Sequence, residues 1–305
     1  MTDTKNHGSL GSNLKVHFAG AEVFEFSRIL NSVGINYFLF TIFPFICKDF
    51  GIPWQTLSTV KNFVPIVELP KFSKHVIMDS GLFSLMFGAH KAVKPDEKFI
   101  RKWKDAIAEY VIANDINHRI TVVECDCQKL LGTNLAWNLR EELRSQLPNN
   151  KIINVFHFED GNEGLKSMID FSDYIAISVP EIRIVKPKTY KQDVYRLAYY
   201  IKDRKPEIDI HLLGCTQESI LRKTSFCTSS DSTSWLQINK FGTFAKRPKS
   251  SIKQAVVDNY EKKVKEIMCE LGIELKPTRV NYLAHYAFAG EILKKQYESW
   301  VGNQD

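Results

Sequence analysis

Residues 226–236, FCTSSDSTSWL, set one carboxylate, Asp231, among Ser229, Ser230, Ser232, Thr233 and Ser234, ahead of the bulky Trp235. A surface turn tolerates that composition; a carboxylate held ready for chemistry is the sharper alternative. Other acids stand in comparable places, at the ends of short apolar runs. Asp79 closes HVIMD, Glu124 and Asp126 close RITVVECD beside two thiols, and His157, Glu159 and Asp160 follow IINVF. Several carboxylates meeting at one mouth suit nucleophilic or acid–base work, since each is unfavourable there unless it is solvated or used. Either Glu124 or Asp126 can face such a mouth, and Asp126 is the preferred one. Glu159 and Asp160 read as loop solvation, and His17 and His211, inside apolar runs, read as structural.

The elements that carry these residues form a rhythm. Short β-rich runs occur at LKVHFAG, NYFLFTIF, HVIMDSG, RITVVECD, IINVFHF, DYIAISV, DIHLLGC and SFCTSSD. Amphipathic helical stretches fall between many of them, most clearly AEVFEFSRILNSVG, PDEKFIRKWKDAIAEYVIAN, TNLAWNLREELRSQL and TYKQDVYRLAYYIKDRKP. In the second, Phe99, Trp103, Ile107 and Tyr110 recur at three- and four-residue steps, as one buried helix face requires. Eight strands alternating with helices predict an α/β fold of the (β/α)8 TIM barrel type, whose strand ends share one mouth. A doubly wound sheet is second choice, because no GxGxxG turn supports it. The connection from Phe43 to Lys74 is long and irregular, so an insertion is expected there. Residues 1–12 are polar and rich in Gly and Ser, and are expected to be a disordered tail. Residues 13–305 are expected to be a single barrel domain with C-terminal helices.

Composition narrows the class further. A 305-residue chain with 44% hydrophobic and 25% charged residues has ample material for a core. The most apolar stretch, GINYFLFTIFPFICKDFGI, is broken by Asn36, Pro44, Lys48 and Asp49, so no membrane span is expected. Six scattered cysteines and the lack of a secretory opening point to thiols in a cytoplasmic setting. Cys125, Cys127, Cys215 and Cys227 match no zinc spacing and read as buried hydrophobes; no metal or cofactor is expected. The net charge of +6 suits a polyanionic partner without requiring one. RIVKPKTYKQDVYRLAYYIKDRK and KFGTFAKRPKSSIK mix cations with aromatics, as phosphate contact and base packing would need. A solvated helix face explains each equally well.

MDSGLFS resembles the DSGGFQ-type signature of the tRNA-guanine transglycosylases, and HLLG followed by DSTSW resembles the region holding that family's nucleophilic aspartate. The order of motifs agrees over about residues 15–240. The likeness is strongest to the shorter members, including those of phages that place 7-deazaguanines in DNA. The resemblance implies a pentosyltransferase that exchanges a guanine in the nucleic acid for a 7-deazaguanine. Asp231 would attack the sugar, and Asp79 would protonate the leaving base and deprotonate the incoming one. The hydroxyls around Asp231 would bond its carboxylate or a nearby phosphate and keep the acid ionised. Ser80, Phe83, Asp126, His157, Ser178 and Val179 would form the base pocket, with Phe83 stacking on the purine and Asp126 accepting from its Watson–Crick edge.

Departures from the family pattern are specific. Leu82 and Ser84 replace a Gly and a Gln, SVPEIR replaces a Gly pair, and STSW follows the nucleophile in place of Pro-Thr-Arg. The family's zinc cluster has no counterpart, since only Cys269 lies beyond Asp231. DNA is therefore expected ahead of tRNA as partner, and oligomeric state is left open. A nucleoside or nucleotide glycosidase and an inactive nucleic-acid-binding barrel are the alternatives.

Overall fold

The computed structural model describes residues 13–52, 66–82, 95–116, 119–244 and 247–302. The 1–12 tail and Phe83 lie outside the described residues. Eight strands make the framework: β1 (Lys15–Ala19), β2 (Tyr37–Thr41), β3 (His75–Asp79), β4 (Ile120–Val123), β5 (Ile152–Phe156), β6 (Tyr174–Ser178), β7 (Asp209–Leu213) and β8 (Ser229–Ser232). They pair in parallel in chain order, and β8 closes on β1 to give a (β/α)8 barrel. Near-continuous apolar runs such as YFLFT and IINVF suit strands buried on both faces.

Alternation along the strands sorts the side chains. Ala19, Leu39, Ile77, Val123, Ile153, Val155, Tyr174 and Ala176 form one small buried cluster, while Phe18, Phe38, Phe40, Val76 and Met78 join the larger core against the helices. Inner positions that are polar find each other. His17 Nε2 lies 2.9 Å from His75 Nδ1, and His75 Nε2 lies 2.9 Å from Thr121 Oγ1. Ser229 Oγ joins Tyr174 OH at 2.6 Å and His211 Nδ1 at 2.5 Å. Burial lowers His17 well below the usual imidazole range and brings His75 down to about 4, so this paired layer is neutral near pH 7.

The longer helices are α1 (Phe24–Ser32), α2 (Glu97–Ala113), α3 (Thr133–Gln146), α4 (Gly161–Phe171), α5 (Val179–Val185), α6 (Tyr190–Arg204), α7 (Gln254–Glu270) and α8 (Pro277–Val301). Asp96 caps α2 by accepting the Phe99 N–H at 2.8 Å. α8 packs against α1: a Cβ at Gly290 would fall 2.6 Å from Leu30 Cδ2. Trp235 is fully buried between Phe26 and Tyr286 and donates its indole N–H to the Ala19 carbonyl at 2.8 Å. The insertion after β2 begins as the helical turns Phe43–Ile46 and Cys47–Phe50 and ends as Ile66–Lys71. No helix among the described residues is long and apolar enough to cross a membrane.

Two expected strands are shorter than their apolar runs. SFCTSSD yields a strand only from Ser229, because Phe226 and Cys227 are consumed in core packing before it. β4 stops at Val123, so Glu124 and Asp126 both lie past its end. Glu124 then turns into the core. It accepts from Arg140 Nε at 2.5 Å, Arg140 Nη2 at 2.7 Å and the Val155 N–H at 2.7 Å, while the guanidinium stacks on Trp137.

Removing Arg140 leaves that carboxylate buried and unpaired. Arg140→Ala is expected to lower unfolding free energy by about 3–5 kcal/mol in chemical denaturation. Glu124→Gln/Arg140→Met should recover most of the loss; an Arg140→Ala protein as stable as wild type would show the pair to be dispensable.

Candidate active site at the carboxyl ends of the strands

Asp79 and Asp231 are each held through one oxygen by a glycine N–H. Gly81 donates to Asp79 Oδ2 at 2.9 Å, and Gly214 donates to Asp231 Oδ1 at 2.6 Å. Both glycines sit at positive φ, 73° and 60°. Neither has room for a side chain. A Cβ at Gly81 would fall 2.7 Å from Phe43 Cβ, and one at Gly214 would fall 2.9 Å from Pro180 Cγ. The glycines of DSG and HLLG thus have a local reason to be glycine: each turns the backbone so that its N–H meets the acid.

The remaining oxygens, Asp79 Oδ1 and Asp231 Oδ2, have no hydrogen-bond partner among the described residues. His211 Nε2 lies 3.3 Å from Asp231 Oδ1. With Nε2 carrying the proton, the other ring nitrogen accepts from Ser229, whose oxygen accepts from Tyr174 OH. His211, Ser229 and Tyr174 are thus linked beneath Asp231, while His211 Nε2 itself makes no hydrogen bond among the described residues.

Electrostatics tie the acids to one mouth. Burial pushes Asp79 up to about 6; the Gly81 N–H opposes this, and the charges of Asp231 and Asp126 add to it. A fourth carboxylate, Glu22, joins them just after β1. It accepts the Thr41 N–H at 3.3 Å, and Thr41 is the β2 partner of Asp79. Burial, with a smaller push from the charge of Asp79 and against the Thr41 N–H, brings Glu22 up to about 7.

Asp126 is clamped differently. His157 Nε2 meets its Oδ1 at 2.6 Å, and His157 Nδ1 meets Glu181 Oε2 at 2.7 Å. Burial opposes a charge on His157, yet the hydrogen bonds it donates to Asp126 and Glu181 carry it up to about 10, so it is an imidazolium at neutral pH. Glu181 also accepts from Lys129 at 2.9 Å, and Lys129 pairs with Glu159. Asp160 accepts from the His157 N–H at 3.3 Å and from Gln128 Nε2 at 3.0 Å.

Several expectations change accordingly. Both nitrogens of His157 are taken, so it holds Asp126 and cannot itself read a base. Asp160 fixes the loop that carries His157. The hydroxyls near Asp231 do not bond its carboxylate. Alternation turns Ser230 and Ser232 away from the inner face, and Ser232 meets Tyr297 OH of α8 at 3.2 Å and the Ser234 N–H at 3.0 Å. Ser229 faces inward but is consumed by His211 and Tyr174. Ser80 is buried, and its carbonyl accepts the Trp103 indole N–H at 2.9 Å. Ser178 ends β6, with the buried Val179 opening α5.

Sequence reasoning passed over Glu22, His211 and Glu181. Glu22 had a signal, three residues beyond β1 in the same strand-end position as the other acids. His211 had none, because an inward histidine in a strand looks like a core histidine until its neighbour is known. The thiols Cys125, Cys127, Cys215 and Cys227 are buried, and burial pushes Cys127 up to about 12 and Cys215 up to about 11. No group of three or more His, Cys, Asp or Glu among the described residues is arranged to hold a metal ion. A hollow of about 470 Å³ between α7 and α8, lined by Met268, Ile273 and Leu275 among others, includes none of the strand-end acids.

No family model and no curated protein matches the chain. Among solved structures, it is similar to the carboxyl transferase domain of Rhizobium etli pyruvate carboxylase with 3-bromopyruvate. The identity is 10% over 94% of this chain and 48% of that one, with a TM-score of 0.40. A substituted form of that domain with pyruvate gives 11% identity, 96% and 49% coverage and a TM-score of 0.37. The chain spans about half the length of these structures. At such scores the likeness carries no functional argument, and the barrel rests on its own strand pairing.

Glu22 gives a pH test. Its proton is held more tightly folded than unfolded, so the native state is favoured below about 4.5 and loses that advantage as pH rises through about 7. Glu22→Gln cannot ionise. Its stability relative to wild type should rise between those values by on the order of 2–3 kcal/mol and level off above them. A pH-independent difference in melting would show that Glu22 is solvated as in the unfolded chain.

Proposed function

We propose that this protein is a nucleic-acid guanine transglycosylase that replaces a guanine in DNA with a 7-deazaguanine. The observation that carries the reading is the pair of glycine-held acids, Asp79 and Asp231, each with one oxygen anchored and the other without a described partner. Base exchange needs two such groups with different duties. Asp231, oriented through Oδ1 by the Gly214 N–H, attacks C1′ with its second oxygen as the bond from C1′ to the guanine nitrogen breaks. Asp79, raised to about 6 by burial and its acidic neighbours, can carry a proton to the departing base near neutral pH. It takes a proton back from the incoming base, which then displaces Asp231 from the sugar.

Asp126 accepts from the guanine edge in this reading. His157 and Glu181 hold it in place, so its Oδ2, with no hydrogen-bond partner among the described residues, presents a fixed acceptor. Glu22 supplies a second exchangeable proton beside Asp79. The two glycine contacts are made with the departures in place, Leu82 following Gly81 and Pro180 packing against Gly214. Access to C1′ requires the target nucleotide to leave its stack. DNA is preferred to tRNA on the missing cysteine cluster.

The reading is tested by incubating the protein with duplex DNA, single-stranded DNA or tRNA and labelled guanine, then looking for incorporation and for a covalent adduct on denaturing gels. Incorporation into DNA is expected. Asp231→Asn should abolish both exchange and adduct, and Asp79→Asn should slow turnover by about 100-fold or more. Free base released without incorporation would make the protein a glycosidase. No incorporation and no adduct on any substrate would end the proposal.

A further inference from the structure

We propose that the rim beside α5 is a docking surface for duplex DNA, and that Ile184 and Val185 enter the stack where the target nucleotide has left it. The inference rests on the nucleic-acid reading above and says where and how the duplex sits. Ile184 is 79% exposed and Val185 52%, an unusual way to present two β-branched apolar residues on a seven-residue helix. The opposite face of α5 is spent, with Val179 and Ile182 buried.

The helix is anchored at both sides of the candidate site. Glu181 is tied to His157, which holds Asp126, and Pro180 packs against Gly214, which holds Asp231. One turn beyond Glu181, the chain reaches Ile184. The apolar tip is thus carried on the same short helix that contacts the holders of two of the acids proposed to act on the nucleotide. A wedge needs that placement, because the gap it fills opens only a few ångströms from the displaced base.

Charge favours a polyanion as the occupant. Arg183, Lys186 and Lys188 flank the tip, all exposed, and none pairs with an acid among the described residues. On the far side of β7, the segment after β8 adds Lys240 beside the 65% exposed Phe241, then Arg247 and Lys253. Both basic, aromatic-bearing stretches of the sequence therefore start from the same barrel end. A second copy of the chain would set these cations against each other, which disfavours self-association through this face.

The test is binding of a short labelled duplex, fully paired or carrying one abasic position, measured by anisotropy over a range of salt. Wild type should prefer the opened duplex by about tenfold. Ile184→Ser/Val185→Ser should reduce that preference to about twofold or less. Arg183→Ala/Lys186→Ala/Lys188→Ala should weaken both duplexes and flatten the slope of log affinity against log salt by about 2 to 3. Thermal melts of both variants should match wild type, since every changed side chain is exposed. The proposal is overturned if the variants bind as wild type does or if wild type binds neither duplex. It is equally overturned if sedimentation shows a dimer that the Ser substitutions dissociate, or if only anionic vesicles are bound. DNA binding that depends on these residues without guanine incorporation would sustain the docking surface and remove the proposed chemistry.

Discussion

A backbone N–H donated to a carboxylate oxygen is the contact from which the rest of this site follows. Gly81 makes it to Asp79 and Gly214 makes it to Asp231, at positive φ in both cases. The donor cannot swing as a side chain would, so each acid is aimed by the strand end itself. Closure of the sheet then brings the two together. When β8 pairs with β1, Asp231 falls opposite His17, and the register from β1 through β3 brings Asp79 to the same end of the barrel. Two acids 152 residues apart in sequence (231 minus 79) so come within reach of each other's charge.

Below and around these acids the protein has solved separate charge problems. The His17 and His75 pair under the mouth is neutral, which avoids placing a fixed cation beneath the acids. The imidazolium of His157 is flanked by two carboxylates at 2.6 and 2.7 Å, so its charge is spent on Asp126 and Glu181. Glu124 has its own guanidinium, Arg140, and leaves the mouth altogether. The acids that stay at the mouth are Glu22, Asp79, Asp126 and Asp231. Their mutual repulsion is what lifts Asp79 and Glu22 beyond the effect of burial.

The serine-rich stretch around Asp231 shows how strand geometry, and not composition, decides what neighbouring hydroxyls do. Its hydroxyls were expected on the carboxylate. Strand alternation sends Ser230 and Ser232 to the helix side, where Ser232 meets Tyr297, and commits Ser229 to His211. The Ser229 and Ser232 hydroxyls are bonded within the fold, whereas the Ser230 hydroxyl is buried without a hydrogen-bond partner among the described residues. The SVPEIR stretch, most of which lies in α5, stood in the sequence only as a departure from the family pattern. In the fold it braces the holders of Asp126 and Asp231 at once while leaving its cations and apolar tip in water.

The sequence alone determined the alternation of strands and helices, the barrel it predicts, and the strand-end positions of Asp79, Asp126 and Asp231. Those features depend on local periodicity, which the order of residues carries directly. Tertiary structure decided which of Glu124 and Asp126 stays at the mouth, that His157 is a clamp, and that Glu22 and His211 belong beside the acids. Each of these is settled by a partner distant along the chain: Arg140 for Glu124, Glu181 for His157, Thr41 for Glu22 and Asp231 for His211. Pairing across a closed sheet depends on register between strands, and no local pattern in one strand encodes the neighbour it will meet.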